Sequence, residues 1–257
     1  MDASETGAED AAGTLRAASV PTVSVVIPAY NEAHRIGSSI EKILTFLNNN
    51  EVDAEIIVVD DGSDDGTSRI AGAYSGQGLR NIVNETNRGK GYSVRRGFLE
   101  AKGTYVLFTD ADLSAPIDEL DHLLEIASGG ADTVIGSRAV DRSRIVIHQP
   151  RNREWGGILY NWAVQLILGL RIKDTQCGFK LFRREPMLPI FERQTIHRFG
   201  FDPEILFLAR KRGLTIRETP VSWSHEPGSK VRFLSDGIGM FLDLIHIRWN
   251  WVRGKYR

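Results

Sequence analysis

Five short strand-like runs that alternate with four helical patterns constrain this chain more than any other feature. Val23 to Ile27, Ala54 to Val59, Arg80 to Asn84, Tyr105 to Thr109 and Thr133 to Ser137 read as strands. Helical spacing follows at Ile36, Ile40, Ile43, Leu44 and Leu47, then over Gly66 to Tyr74, Gly91 to Ala101 and Ile117 to Ala127. Strands that are apolar on both faces and alternate with helices predict an α/β fold, a parallel sheet covered on both sides. In such sheets the ligand lies outside the carboxyl ends of the strands. Those ends carry Pro28 to Glu32, Asp60 to Ser63, Asp110 to Asp112 and Gly136 to Arg138, so the polar chemistry is stacked along one edge.

The second half has a different texture. Trp155, Ile158, Leu159, Trp162, Leu166 and Leu170 recur at helical spacing, and Asp174 to Phe182 reads as a loop entering a strand. Asp202 to Arg212 predicts a helix, Thr215 to Trp223 a strand, and Ser235 to Arg253 a long amphipathic helix. The expected organisation is a disordered tail over 1–19, one domain over 20–234, and an amphipathic helix over 235–257. No internal repeat is visible.

Composition excludes several classes. Lys plus Arg number 32 and Asp plus Glu 33, a net charge of −1, so no global basic field points to nucleic acid. The single cysteine, Cys177, excludes an internal disulfide and a cysteine-built zinc site, and fits a reducing compartment. No run approaches the ~18 consecutive apolar residues of a spanning helix. Residues 1–18 carry four acids and no apolar core, unlike a secretory signal.

At the fourth strand end, Asp110 and Asp112 can reach one hard cation, Mg²⁺ or Mn²⁺; the plain alternative is a solvated turn capping a helix. Asp60 and Asp61 can accept hydrogen bonds from a base or ribose, or form an Asx turn. Tyr30 can stack on a base and Glu32 can accept, with Asn31 as a helix N-cap in the plainer reading. Gly89-Lys90-Gly91 offers close backbone approach and a point charge for phosphate, or is a flexible basic turn.

Four of these segments, Val-Val-Ile-Pro-Ala-Tyr-Asn-Glu (25–32), Val-Val-Asp-Asp-Gly-Ser-x-Asp-Gly-Thr (58–67), Asn-x-Gly-Lys-Gly (87–91) and Thr-Asp-Ala-Asp (109–112), occur in order. Together they resemble the family 2 glycosyltransferases, which have a GT-A nucleotide-sugar-binding fold. Gly136-Ser137-Arg138, the Arg151-Asn152-Arg153 segment and Asp174 to Phe182 look like polyprenyl-phosphate glycosyltransferases. The tail Pro220 to Val231, followed by Asp243 to Tyr256, is most similar to dolichyl-phosphate glucosyltransferases.

The resemblance implies inverting transfer of a sugar, glucose from UDP-glucose as the first expectation, onto a polyprenyl or dolichyl phosphate. GDP-mannose as donor, a soluble or polysaccharide acceptor, and a non-catalytic nucleotide-binding module are the alternatives. The site expected from it has Pro28, Tyr30, Glu32, Asp60, Asp61, Lys90 and Asp110 toward the donor and Asp110 and Asp112 toward the metal. Arg138, Arg151, Arg153 and Lys230 face the acceptor, with Asp110, Asp112 and Arg138 as the catalytic set. Ser114 stands where related mannosyltransferases carry a glutamine near the metal, and the Gln-x-x-Arg-Trp motif of processive synthases is absent. A lipid phosphate is already a nucleophile near neutral pH, so cations that hold it matter more than a general base. For Arg138 the plain alternative is an ion pair with a neighbouring carboxylate.

Ile238, Phe241, Leu242, Ile245, Trp249 and Val252 form an apolar stripe, with Arg248, Arg253, Lys255 and Arg257 beside or beyond it. That pattern fits an interfacial membrane helix, or a helix packed on the core. The expected location is cytoplasmic, peripheral on the cytoplasmic face of a membrane. Oligomeric state is not readable from the sequence.

Overall fold

The computed structural model describes residues 22–226 and 233–257. The expected tail over 1–19 and Lys230 lie outside the described residues.

In chain order the elements are β1 (Val23–Ala29), α1 (Ile36–Asn49), β2 (Ala54–Asp60), α2 (Thr67–Gly72), β3 (Leu79–Val83), α3 (Lys90–Glu100), β4 (Tyr105–Thr109), α4 (Leu120–Ser128) and β5 (Thr133–Ser137). There follow β6 (Ile145–Ile147), α5 (Arg151–Leu168), β7 (Phe179–Arg183), α6 (Arg184–Arg193), α7 (Phe201–Lys211), β8 (Ile216–Pro220), β9 (Trp223–Ser224) and α8 (Phe233–Val252). Seven strands form one sheet in the order β3-β2-β1-β4-β7-β5-β8, and β6 pairs with β9 in a small second sheet. The α/β, mostly parallel architecture is the expected one, with one exception. β7 runs antiparallel between β4 and β5 and separates them.

β1 shows why its residues are apolar throughout. Val26 packs into the core on one side of the sheet with Phe98, Phe182 and Phe191, while Val25 and Ile27 pack into the other with Ile36, Ile40 and Ile43. Alternate side chains of a strand point to opposite faces, so a strand covered on both sides has no place for polar residues. The chain order also reverses at β1: β2 and β3 lie to one side and β4 to the other. The crevice beyond the carboxyl ends of β1 and β4 is therefore a topological switch point, where α/β sheets bind ligands.

Two sequence boundaries move. The strand expected over Thr215 to Trp223 is interrupted at Val221 and Ser222, and its end, β9, leaves the main sheet for β6. Asn31 does not cap α1. It adopts a left-handed φ of 54°, and its side chain accepts from the Asp64 N–H instead.

α8 belongs to the same packed structure as the sheet. Leu244, Ile247 and Tyr256 are buried in the larger core, and Trp251 meets Phe207 of α7 edge to face at 5.6 Å. A polar knot holds its end: the fully buried Glu204 carboxylate accepts from the Tyr256 hydroxyl at 2.6 Å, the Thr195 hydroxyl and the Thr195 and Ile196 N–H groups. The stripe read from periodicity, Ile238 to Val252, is on the opposite side and points outward. The helix is apolar on both faces, one for the core and one for something else.

Candidate active site

A single cleft of about 1070 Å³ runs along the carboxyl edge of the sheet, between the strand ends and the α5 and α8 helices. At its centre β4 ends in Asp110-Ala111-Asp112. The Ala111 carbonyl is anchored by the Ser39 hydroxyl at 2.7 Å, and the Asp110 N–H donates to the Gly178 carbonyl at 3.1 Å. Both carboxylates line the cleft. Asp110 Oδ1 pairs with Lys90 Nζ at 2.7 Å, while Asp112 accepts from the Ser114 N–H and has Arg35 Nη1 at 4.0 Å. Burial and the neighbouring Asp110 charge push the Asp112 carboxyl above the ordinary carboxylate range. Two acids crowded in this way favour a cation between or beside them.

Gly178 explains itself here. A Cβ on it would lie 1.9 Å from Asp110 Oδ2, so only glycine lets β7 enter beneath the carboxylate. Nothing in the sequence pairs these two residues. The contact exists because β7 inserts beside β4.

The loops from β2 and β3 serve the same centre. Asp61, nearly inaccessible but on the cleft wall, accepts from the Arg88 and Gly89 N–H groups at 3.0 and 2.7 Å and from the Asn84 amide at 2.6 Å. Its carboxylate thus pins the Gly89-Lys90-Gly91 turn. Gly89 sits at φ +101° against the His197 carbonyl, and Gly91 lies under Phe201. Both glycines permit close approach of the 196–201 segment to the turn that carries Lys90. Asp60 is fully buried, and its Oδ1 accepts from the Ser63 N–H and hydroxyl, an Asx turn. It does not line the cleft, contrary to the donor role expected for it, because the adjacent Asp61 takes the outward position. Pro28, Tyr30 and Glu32 do line it; Tyr30 is 38% exposed and Glu32 pairs with Arg35 at 2.8 Å.

On the far wall the plainer reading of Arg138 holds. Its Nε and Nη2 donate to Asp174 at 2.7 and 2.8 Å, and its backbone N–H to the same carboxylate at 3.0 Å. Burial works against the Asp174 anion, but the guanidinium wins and holds its carboxyl down at about 2. The fork of Arg138 is therefore engaged, although the residue still lines the cleft. Arg153 lines the cleft from the first turn of α5, and Arg151 is exposed one turn position away from it, off the wall.

Sequence reasoning missed a second charged pair. Lys180, with no exposed surface, bonds Asp202 Oδ1 at 2.6 Å and the Cys177 carbonyl. Its ammonium and that of Lys90 lie 5.5 and 5.2 Å from the Phe108 ring, and Asp202 lines the cleft. A lysine inside the apolar run Phe179-Lys180-Leu181-Phe182 was the available signal, since a buried charge requires a partner. Among the described residues, no group of three or more His, Cys, Asp or Glu side chains is placed to hold a metal.

Comparisons with known proteins bear on the family and the fold. The family described as Glycosyl transferase family 2 matches residues 24–191. The dolichyl-phosphate beta-glucosyltransferase of Saccharomyces cerevisiae is 37% identical over 257 residues, covering 91% of this chain and 76% of that protein. The protein of the same name from Dictyostelium discoideum is 34% identical over 249 residues, with 91% and 76% covered. Among solved structures, the mannosyl-3-phosphoglycerate synthase of Rubrobacter xylanophilus superposes with a TM-score of 0.68 at 21% identity, covering 91% of this chain and 75% of that one. The glucosyl-3-phosphoglycerate synthase of Mycobacterium tuberculosis, crystallised with Mn²⁺, UDP-glucose and phosphoglyceric acid, does so with a TM-score of 0.64 at 22% identity, covering 90% and 79%. The fold is thus the GT-A-like fold of these enzymes, and with the family motifs matched from β1 to α6, this chain belongs to glycosyl transferase family 2.

Proposed function

We propose that this enzyme transfers glucose from UDP-glucose to a dolichyl or polyprenyl phosphate, with inversion at the anomeric carbon. The observation that carries the reading is one cleft with two unlike walls. Paired carboxylates, Lys90 and Tyr30 stand at the strand ends, and the α5 and α8 helices face them. The relatives named as dolichyl-phosphate beta-glucosyltransferases support the substrate pair.

The oxygen donor set of Asp110 and Asp112 fits Mg²⁺ or Mn²⁺, and these two carboxylates would hold it. That cation, when bound, supplies charge neutralisation for the departing nucleotide. The protein's own residues do the remainder. Tyr30 offers a face to the base, and Asp61 fixes the turn that presents Lys90 beside Asp110. Lys90 is then placed to balance diphosphate charge. Arg153, and the edge of Arg138 not used by Asp174, are the cations for the acceptor. An acceptor phosphate oxygen attacks the anomeric carbon, the bond from that carbon to the diphosphate breaks, and the nucleotide leaves with the electron pair. No base need take a proton, because the phosphate enters ionised.

A membrane surface supplies the acceptor in this reading. Trp155, Leu159, Trp162 and Leu166 of α5 and Ile238, Leu242 and Trp249 of α8 are all more than half exposed, on two helices packed side by side. Arg151, Arg248 and Arg253 are also exposed on or beside this face. Among the described residues no helix is long and apolar enough to cross a membrane. Tryptophans and cations around an apolar face suit the headgroup layer of an anionic bilayer, so the enzyme is peripheral.

The test offers purified protein a panel of nucleotide sugars with and without polyprenyl phosphate, and weighs the products. A hexosyl phospholipid formed from UDP-glucose is expected. Product formed only from GDP-mannose overturns the donor, and product formed only on soluble sugars overturns the acceptor.

A further inference from the structure

The hydroxyl of Tyr160 is shielded from solvent and has no hydrogen-bond partner. Its ring packs against the larger core from the middle of α5, and the residue lines the cleft. Other buried atoms without a partner, among them Asp60 Oδ2, Gln194 Oε1 and Asn250 Oδ1, belong to residues off the cleft. Asn161, next to Tyr160 in the chain, donates to the Ile172 and Lys173 carbonyls at 3.0 and 2.7 Å and accepts from Thr175. The Tyr256 hydroxyl, also buried, donates to Glu204 at 2.6 Å. A buried polar group left unpaired is costly, so one beside a ligand cleft marks a place where the ligand supplies the partner.

The charge around the hydroxyl narrows that ligand. Burial, then the Asp202 and Asp243 carboxylates, hold the phenol strongly protonated, so it stays neutral and can donate. Asp202 lines the cleft beside it, with Oδ1 held by Lys180; Asp243 is packed against Gly200, where a Cβ would lie 2.3 Å from its Oδ2. Asp202 is balanced by Lys180, which leaves no net positive charge here to attract a phosphate. The carboxylates suit a neutral hydroxyl, which donates to one oxygen and accepts from another.

We propose that the Tyr160 hydroxyl bonds a hydroxyl of the hexose being transferred, making Tyr160 a donor-sugar recognition residue. This rests on the glycosyl-transfer reading above. It concerns neither the nucleotide nor the lipid phosphate.

The test is Tyr160→Phe, which removes one oxygen and keeps the ring. Calorimetry with Mn²⁺ present compares UDP-glucose with UDP alone, and GDP-mannose with GDP alone, on both proteins. For whichever sugar nucleotide the unsubstituted chain binds, Tyr160→Phe lowers that affinity about tenfold and leaves the bare nucleotide unchanged, the loss of roughly one hydrogen bond. The melting temperature of the ligand-free variant stays level or rises, because nothing in the folded protein loses a partner. Equal affinities for sugar nucleotide and nucleotide in both proteins overturn the proposal alone. So does a rise only in the KM for the lipid phosphate, or a clear drop in melting temperature. Failure of the unsubstituted chain to bind any sugar nucleotide overturns the transfer reading, and this assignment with it.

Discussion

The rim of strand ends and the wall of α5 and α8 enclose the same cleft but are built by opposite rules. On the rim, acids are buried and tied down. Asp61 accepts from three residues of one loop, Asp60 closes its own turn, and Asp110 is fitted over a glycine. On the wall, large apolar side chains are left in the open, with Leu159 at 68% and Trp162 at 61% exposure. Burying a carboxylate is costly unless hydrogen bonds compensate it, as they do on both oxygens of Asp61, and exposing tryptophan is tolerable only when another surface covers it. The rim is therefore preorganised for a small charged ligand, and the wall is unfinished without an apolar partner.

The sharpest way to break the rim is to alter its centre. Asp112→Asn should abolish transfer, a loss of at least ~10³-fold, since several kcal/mol of charge stabilisation goes with the cation. Folding should be intact, because the hydrogen bond from the Ser114 N–H to Asp112 can pass to the amide oxygen. EDTA should reproduce the loss in the unsubstituted enzyme. Activity surviving either treatment would remove the metal from the mechanism. Gly178→Ala should come close to the same loss by a different route, displacing Asp110 with a methyl group.

Next in size is Asp61→Ala. It strips the partners from Asn84, Arg88 and Gly89, costing about 2–4 kcal/mol of stability by denaturant unfolding. Nucleotide affinity should fall with it, because the turn bearing Lys90 is released. Full affinity in a destabilised protein would show that Lys90 needs no such support.

The Arg138 pair predicts an acid response. The Asp174 carboxyl lies at about 2 when folded, below the ordinary value of 3.8, so its contribution is complete above pH ~4. It fades as pH falls toward 2, amounting to about 2 kcal/mol. Replacing Arg138 with Met should remove that acid-side slope from stability measured between pH 5 and 2. An unchanged slope would assign the acid sensitivity to other carboxylates.

The wall should show the smallest effect on stability and a clear one on location. Trp155→Ser with Leu166→Ser should shift unfolding by only about 0.5 kcal/mol, as exposed positions do. Flotation with anionic vesicles should drop several-fold, while transfer to a short soluble acceptor persists. Deleting α8 is a poorer probe, since it takes Leu244 and Ile247 out of the core, uncovers Phe207 and breaks the Glu204 knot. If the double variant still floats, or the unsubstituted chain dimerises through this face without binding vesicles, the wall is a protein interface.

How far the sequence reached depends on the range of the interactions. β1, β2, β4 and β5 were legible as apolar runs, Asp110, Asp112 and Asp61 fell where strand ends must place them, and Lys90 fell at the head of a helix. The apolar stripe of α8 was legible too, but not its direction. Periodicity marks a face without saying what lies against it, and here the marked face points outward while Leu244, Ile247 and Trp251 turn inward.

Local pattern by itself determined the alternation of strands and helices, the acidic edge of the sheet and the family, because each depends on side chains close in the chain. Only the tertiary structure decided that β7 enters antiparallel beside β4, and with it the need for glycine at 178. It also decided that Arg138 is claimed by Asp174, that Lys180 is buried on Asp202, and that Tyr160 is left unpaired at the cleft. These join residues 22 to 78 positions apart or depend on what fails to come near. Spacing along the chain carries no record of either; only the folded packing does.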